Sequence, residues 1–295
     1  MLVAAPAKIN LYLSVGWQRP DGYHDVETIV QALELHDTVR VERASSLQVT
    51  CEPDVGVPAG DNLAARAARA LGDALGRAPG FAIDVRKTVP VGAGLGGGSA
   101  DAAAALVALA HAWGVSAEDP AVASCAASLG ADVPFFLGGG CALLRGRGDE
   151  LVRRLPVPRL HVALVNPGVL MPTAAVYGAL GGSAAPAGGS AEILAAIESG
   201  DPRRVAGSLH NGMTGAAVSL APAIAEALAW VSERPGVLGS CMAGSGSTVF
   251  GVFRDAASAE AAALAARGRG WWAEATRTRN GGVELLEPGG PEESE

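Results

Sequence analysis

Apolar and polar residues alternate strictly over KINLYLSV, residues 8–15: Ile9, Leu11, Leu13 and Val15 fall on one face, Lys8, Asn10, Tyr12 and Ser14 on the other. A period of two predicts a half-buried strand with a polar second face. QRPDGYH, 18–24, carries a Pro-Asp-Gly turn signal. Short strand-like runs follow within 26–51, including TVRVE and LQVTC, and FAIDVRK, 81–87, alternates again. Helical stretches are predicted from about Asn62 to Leu75, with Asp61 as N-cap and Gly76 at the end, and from about Ser99 to Trp113, stopped by Gly114. Ser116 and Asp119 resemble a capping box opening a helix that ends near Gly130.

Arg153–Pro158 reads as a connector, followed by the strand-like LHVALVNP. Residues 178–190 form a glycine-, alanine- and serine-rich loop, helices are predicted near 190–208 and 222–233, and the glycine-rich 242–253 runs into a strand. This order of elements predicts a mixed α/β, α+β chain in two lobes, 1–155 and 156–286, with an acidic disordered tail over 287–295.

The 295 residues suffice for one large or two ordinary domains. Hydrophobic residues make up 49% but aromatics only 4%, so the core must be built from Ala, Val and Leu. A net charge of −8 argues against a broad nucleic-acid surface. No apolar run approaches the roughly 20 residues of a membrane span. Cys51, Cys125, Cys141 and Cys241 are scattered without CxxC spacing, which predicts reduced thiols in a cytoplasmic protein. Lys8 and Lys87 are the only lysines among 22 basic residues. A compact ammonium and a planar guanidinium are not interchangeable at a reactive phosphate, so those two positions merit notice.

PVGAGLGGGSADAAAA, 90–105, packs five glycines and a serine ahead of a helix. No Gly-Lys pair exists, so it is not a P-loop; HRD and DFG elements of a protein kinase are missing too. Gly92, Gly94 and Gly97 fit GxGxxG, with Asp119 about 20 residues on, yet Asp119 falls in a capping pattern and not at a strand end. The remaining reading is an anion nest at a helix N-terminus, where glycines let backbone N–H groups approach phosphate.

That loop resembles the phosphate-binding motif of the GHMP small-molecule kinases. PAKINLYLSVGWQRPDGYH, LGADVPFF, NPGVLMPTAAVY and GSGSTVFG narrow the resemblance, in family order from residue 6 to about 251. They resemble the branch whose substrate is a cytidine diphosphate-linked polyol, used in non-mevalonate isoprenoid synthesis. The resemblance implies a two-lobed GHMP kinase fold, ATP and Mg²⁺ as cofactors, and transfer of the γ-phosphoryl to the polyol 2-hydroxyl.

It implies Asp132 as general base, with Lys8 beside it to steady the forming alkoxide. Asn10 shares a face with Lys8 and is expected at a substrate hydroxyl. Tyr23, His24 and Tyr177 are implied as cytosine readers, with Thr173 as a nearby substrate contact. For ATP the resemblance implies Gly92, Gly94, Leu95, Gly96, Gly97, Gly98 and Ser99 at the phosphates, and Asn62 and Lys87 at the nucleoside. Ser99 is a candidate protein ligand for Mg²⁺. Gly244 and Gly246 are expected to wall the phosphates from the second lobe. One departure stands out: where the family often reads Asn-Asp-x-Glu, this chain has His210-Asn211-Gly212-Met213, with neither acid. The expected partners are thus ATP and a small molecule, with neither nucleic acid nor membrane.

Overall fold

The computed structural model describes residues 1–58, 60–180 and 188–287; most of the 178–190 loop and of the acidic tail lies outside the described residues. The first half runs β1 (Leu2–Gln18), β2 (His24–Arg43), β3 (Gln48–Glu52), α1 (Leu63–Leu75), β4 (Phe81–Arg86), α2 (Gly97–Ala112), α3 (Pro120–Leu129), α4 (Val133–Gly138), β5 (Cys141–Arg145) and β6 (Glu150–Leu155). The second half runs β7 (His161–Asn166), α5 (Thr173–Ala179), α6 (Ala191–Ser199), α7 (Pro202–Gly207), β8 (His210–Asn211), α8 (Thr214–Leu220), α9 (Ala223–Ser232), β9 (Val237–Met242), β10 (Val249–Phe253), α10 (Ala256–Arg267), β11 (Trp272–Arg277) and β12 (Glu284–Leu286).

The long antiparallel pair β1–β2 is the spine of an 8-stranded sheet with the path β12-β1-β2-β4-β3; β5 pairs with β2 and β6, and β8 runs parallel to β1. A second sheet has four antiparallel strands in the order β11-β7-β10-β9. The chain crosses between sheets over 156–160. Two strands of the second half, β8 and β12, return to the free edge of β1.

α2 explains the low aromatic content. Its alanines and Leu106 and Leu109 are buried against α1, α3, β1 and β2. A helix buried on nearly all sides fits a tight space only with small side chains. Truncating Leu106 or Leu109 to Ala removes packing worth about 2–5 kcal/mol at such sites. A second cluster joins the sheets: Ile9, Leu11 and Ile29 meet Val162, Leu164, Phe250 and Val252.

Several expectations need correction. The 8–15 strand is not half-buried: Lys8 and Asn10 look into the crevice between the lobes, and Tyr12 is buried in the cluster that joins the sheets. Register shifts at Pro6/Lys8 and Asn10/Tyr12 also break its strict alternation. The N-cap of α1 is Asn62, whose side chain accepts from Ala64 N, and not Asp61. Asp119 caps α3, with Pro120 in its first turn, while Ser116 Oγ only accepts from Glu118 N at 3.2 Å. α2 starts at Gly97, two residues early, because Gly96 takes the left-handed conformation that ends the loop. Part of the connector, 153–155, belongs to β6. The 190–208 helix is two helices, split by Gly200 at φ +68° and the Asp201-Pro202 start of α7. No helix among the described residues is long and apolar enough to cross a membrane.

Candidate active site

β1 carries Lys8 into the crevice under the glycine loop, where its backbone N donates to Leu95 O at 2.9 Å. The Lys8 ammonium donates to Asn10 Oδ1 at 2.9 Å and lies 3.8 Å from Asp132 Oδ2. Asp132 stands at the start of α4, and its side chain makes no capping bond there. Its carboxylate is 41% exposed, against 6% for the Lys8 side chain. A buried ammonium thus faces an accessible carboxylate across the crevice floor.

Asn10 is held on every side. Its Oδ1 accepts from Lys8 and from Gly244 N at 3.0 Å, and its Nδ2 donates to Thr28 Oγ1 at 2.9 Å. Its amide, expected at a substrate hydroxyl, locks Lys8 to the second-lobe glycine turn. Asn211, unassigned by the sequence, grips the same turn: its Nδ2 donates to Met242 O and Gly244 O, both at 2.8 Å. In a stretch that departs from the family pattern, a lone buried Asn gave no periodic signal.

The loop before α2 has no side-chain cap, and the first N–H groups of a helix have no partner within it. These groups and the partial positive charge of the helix suit an anion. The backbone demands glycine here. Gly94 has φ +80°, and a Cβ there would collide with the Ala243 carbonyl of the opposite turn. Gly96 has φ +75°, and its Cβ would come 2.7 Å from Phe136 Cζ. Gly92, Gly94, Gly96, Gly97, Gly98 and Ser99 all line the crevice. Leu95 does not: it is buried in the inter-sheet core, where it anchors the loop.

Lys87 lies beneath this loop. Its ammonium contacts Asp37 Oδ2 at 2.5 Å and Asp101 Oδ2 at 2.7 Å, while Asp37 Oδ1 accepts from Thr88 N and Val89 N. Burial works against the Lys87 charge, but the two carboxylates outweigh it and raise its pKa. Burial pushes the Asp101 carboxyl up to about 7; Lys87 opposes the rise and Asp37 adds to it. Expected at the nucleoside, Lys87 has two donors committed to this strut. Asn62 is also engaged locally, capping α1 and donating to Cys51 Sγ at 3.2 Å, though both residues line the crevice.

The crevice encloses about 560 Å³. A second hollow of about 1170 Å³ adjoins it, lined by Tyr23 and His24 from the turn into β2 and by Thr173 and Tyr177 from α5. His24 and Tyr177 stack at 5.2 Å with 25° between planes, whereas Tyr23 is 55% exposed. Burial and then the Asp132 charge raise the Tyr177 phenol pKa. Thr173 Oγ1 and Ser245 Oγ, both from the second half of the chain, are 2.9 Å apart. Asp132, Ser99, Thr173 and Tyr177 line both hollows. So does Arg147, another residue the sequence reading missed; its place between two glycines in the β5–β6 turn was the available signal.

Comparison with known proteins agrees with this architecture. Residues 62–140 match the GHMP kinases N terminal domain and 193–270 the GHMP kinases C terminal domain. A homoserine kinase from Cytophaga hutchinsonii shares the fold at 19% identity, with a TM-score of 0.73 over 97% of each chain. Fold and site together define a GHMP-type small-molecule kinase. A 4-diphosphocytidyl-2-C-methyl-D-erythritol kinase from Pelotomaculum thermopropionicum is 43% identical over 94% of this chain and 97% of its own length. A crystal structure of 4-(cytidine 5'-diphospho)-2C-methyl-D-erythritol kinase superposes with a TM-score of 0.80 at 36% identity, covering 96% of this chain and 100% of that one. The chain belongs to the 4-diphosphocytidyl-2-C-methyl-D-erythritol kinase family.

Proposed function

We propose that the protein transfers the γ-phosphoryl group of ATP to the 2-hydroxyl of 4-diphosphocytidyl-2-C-methyl-D-erythritol, in the cytoplasm, for non-mevalonate isoprenoid synthesis. The observation that carries this reading is the position of Asp132. It lines both hollows, 3.8 Å from the Lys8 ammonium, where a donor phosphate on the glycine loop meets an acceptor held by Tyr23, His24 and Tyr177. The hydroxyl oxygen attacks the γ-phosphorus, the bond to the ADP oxygen breaks, and the hydroxyl proton passes to Asp132. Lys8 offers a positive charge to the oxygen as it loses that proton. Asn10, Gly244 and Asn211 hold Lys8 and the facing turn in place.

Magnesium fits this site as an ion carried by the triphosphate. Among the described residues no three His, Cys, Asp or Glu side chains gather as ligands, which suits an ion held chiefly by phosphate oxygens and water. Ser99, which lines the crevice at the start of α2, would help to hold it, and the ion would neutralise charge on the transferred phosphoryl group.

ADP release with Mg²⁺-ATP tests the reading, with the diphosphocytidyl substrate run beside homoserine and mevalonate. Turnover with the cytidine substrate alone is expected. Turnover with another alcohol would retain the kinase chemistry and discard Tyr23 and His24 as base readers.

A further inference from the structure

Arg147 stands in the β5–β6 turn, between Gly146 and Gly148. The turn is pinned, since Gly146 O accepts from Val26 N at 2.8 Å. Asp149 fixes the side chain, with Oδ2 accepting from Arg147 Nε at 3.1 Å and from Nη2 at 2.7 Å. The guanidinium lies over the Tyr23 ring, 5.0 Å from its centroid. Asp149 is the one carboxylate paired with the guanidinium among the described residues, and the Tyr23 side chain is its other polar neighbour.

Charge makes this position unusual. Among the described residues lining the hollow that holds Tyr23 and His24, Arg147 is the sole ammonium or guanidinium. Lys8 faces Asp132, and Lys87 is committed to Asp37 and Asp101. A diphosphate entering a chain of net charge −8 needs a cation, and a guanidinium presents paired donors that match phosphate oxygens. The order of parts also agrees. The substrate reads base, diphosphate, polyol; Arg147 adjoins Tyr23 and lines both hollows with Asp132.

We infer that the Arg147 guanidinium, lying over the Tyr23 ring, binds the diphosphate of the cytidine-bearing substrate. This rests on the proposed substrate; Arg147 adds the phosphate-reading element that Tyr23 and His24 lack.

The test compares binding of CDP and of cytidine by calorimetry to the wild type, Arg147→Gln and Arg147→Lys. For Arg147→Gln we expect CDP affinity to fall about tenfold or more while cytidine changes by less than about threefold. Arg147→Lys should keep part of the CDP preference, because it keeps the charge but not the fork. With the full substrate, KM should rise in Arg147→Gln with kcat nearly unchanged. Equal weakening of CDP and cytidine would reduce Arg147 to a packing partner of Tyr23 and overturn the inference, as would unchanged binding of both. If the wild type turns over the diphosphocytidyl substrate in either of those cases, the substrate assignment survives. A wild type that binds neither CDP nor cytidine would remove the substrate reading and the role of Arg147 together.

Discussion

Lys8 and Asp132 come from the first strand and from the start of a short helix far along the chain, yet their charged atoms stand 3.8 Å apart. The ammonium is buried and the carboxylate open to the acceptor hollow. In the proposed reaction the carboxylate is therefore the group that meets the substrate proton. Asp132→Asn should bind ATP and the cytidine substrate nearly as the wild type does, and lose about 10²–10⁴-fold in kcat. Single-turnover kinetics would read this, and near-normal turnover would remove Asp132 from the base role.

The two glycine turns touch backbone to backbone at Gly94 and Ala243. Gly94→Ala must either abandon φ +80° or push the turns apart. The left-handed conformation alone costs about 1–2 kcal/mol, so a lower melting temperature and a raised KM for ATP are expected together. An unshifted melting curve with unchanged KM would contradict the close approach.

Tyr23 and Tyr177 should separate binding from stability. Tyr23 is largely exposed, so Tyr23→Ala should leave the melting temperature in place while raising KM for the cytidine substrate about tenfold, the scale of one stacked base. Tyr177 stacks on His24 and packs against the second-lobe core, so Tyr177→Ala should lower both stability and affinity. Equal melting losses in the two variants would defeat this distinction.

Asp101 makes stability depend on pH. Its carboxyl is pushed from 3.8 up to about 7 in the folded chain, chiefly by burial. Between those values the folded state holds a proton that the unfolded chain has released. The stability this group contributes is present below about pH 4 and is lost as pH rises through about 7. Asp101→Asn cannot titrate, so the stability of wild type minus variant should decline from about pH 5 to about pH 8. Urea midpoints measured at both ends would test it; parallel pH profiles would refute the shift.

Much of this was legible in the sequence because it is local. The Gly92–Ser99 loop, the strand through Lys8 and the Tyr23-His24 turn each carry their signal within a dozen residues. What escaped is non-local or small. Asp37 and Asp101 look like surface charges until the fold sets Lys87 between them. β8 and β12 are too short for periodicity, and Arg147 is one arginine in an arginine-rich chain. The burial of the polar face of β1 could not be read from alternation, since a strand reports two faces but not whether a second lobe covers one.

The pairing of Leu2–Ala4 with Glu284–Leu286 bears on how the protein is made. During synthesis β1 emerges ahead of its partners, and β2 can cover one side of it within a few dozen residues. Its other margin has no partner until residues 210–211 and then 284–286 leave the ribosome. Until then the nascent chain carries an open strand edge, a template for wrong pairing with any neighbouring extended segment. That edge closes only after residues 284–286 have been made, so the strand bearing Lys8 stays open on one margin while every element from β2 to β11 is synthesised.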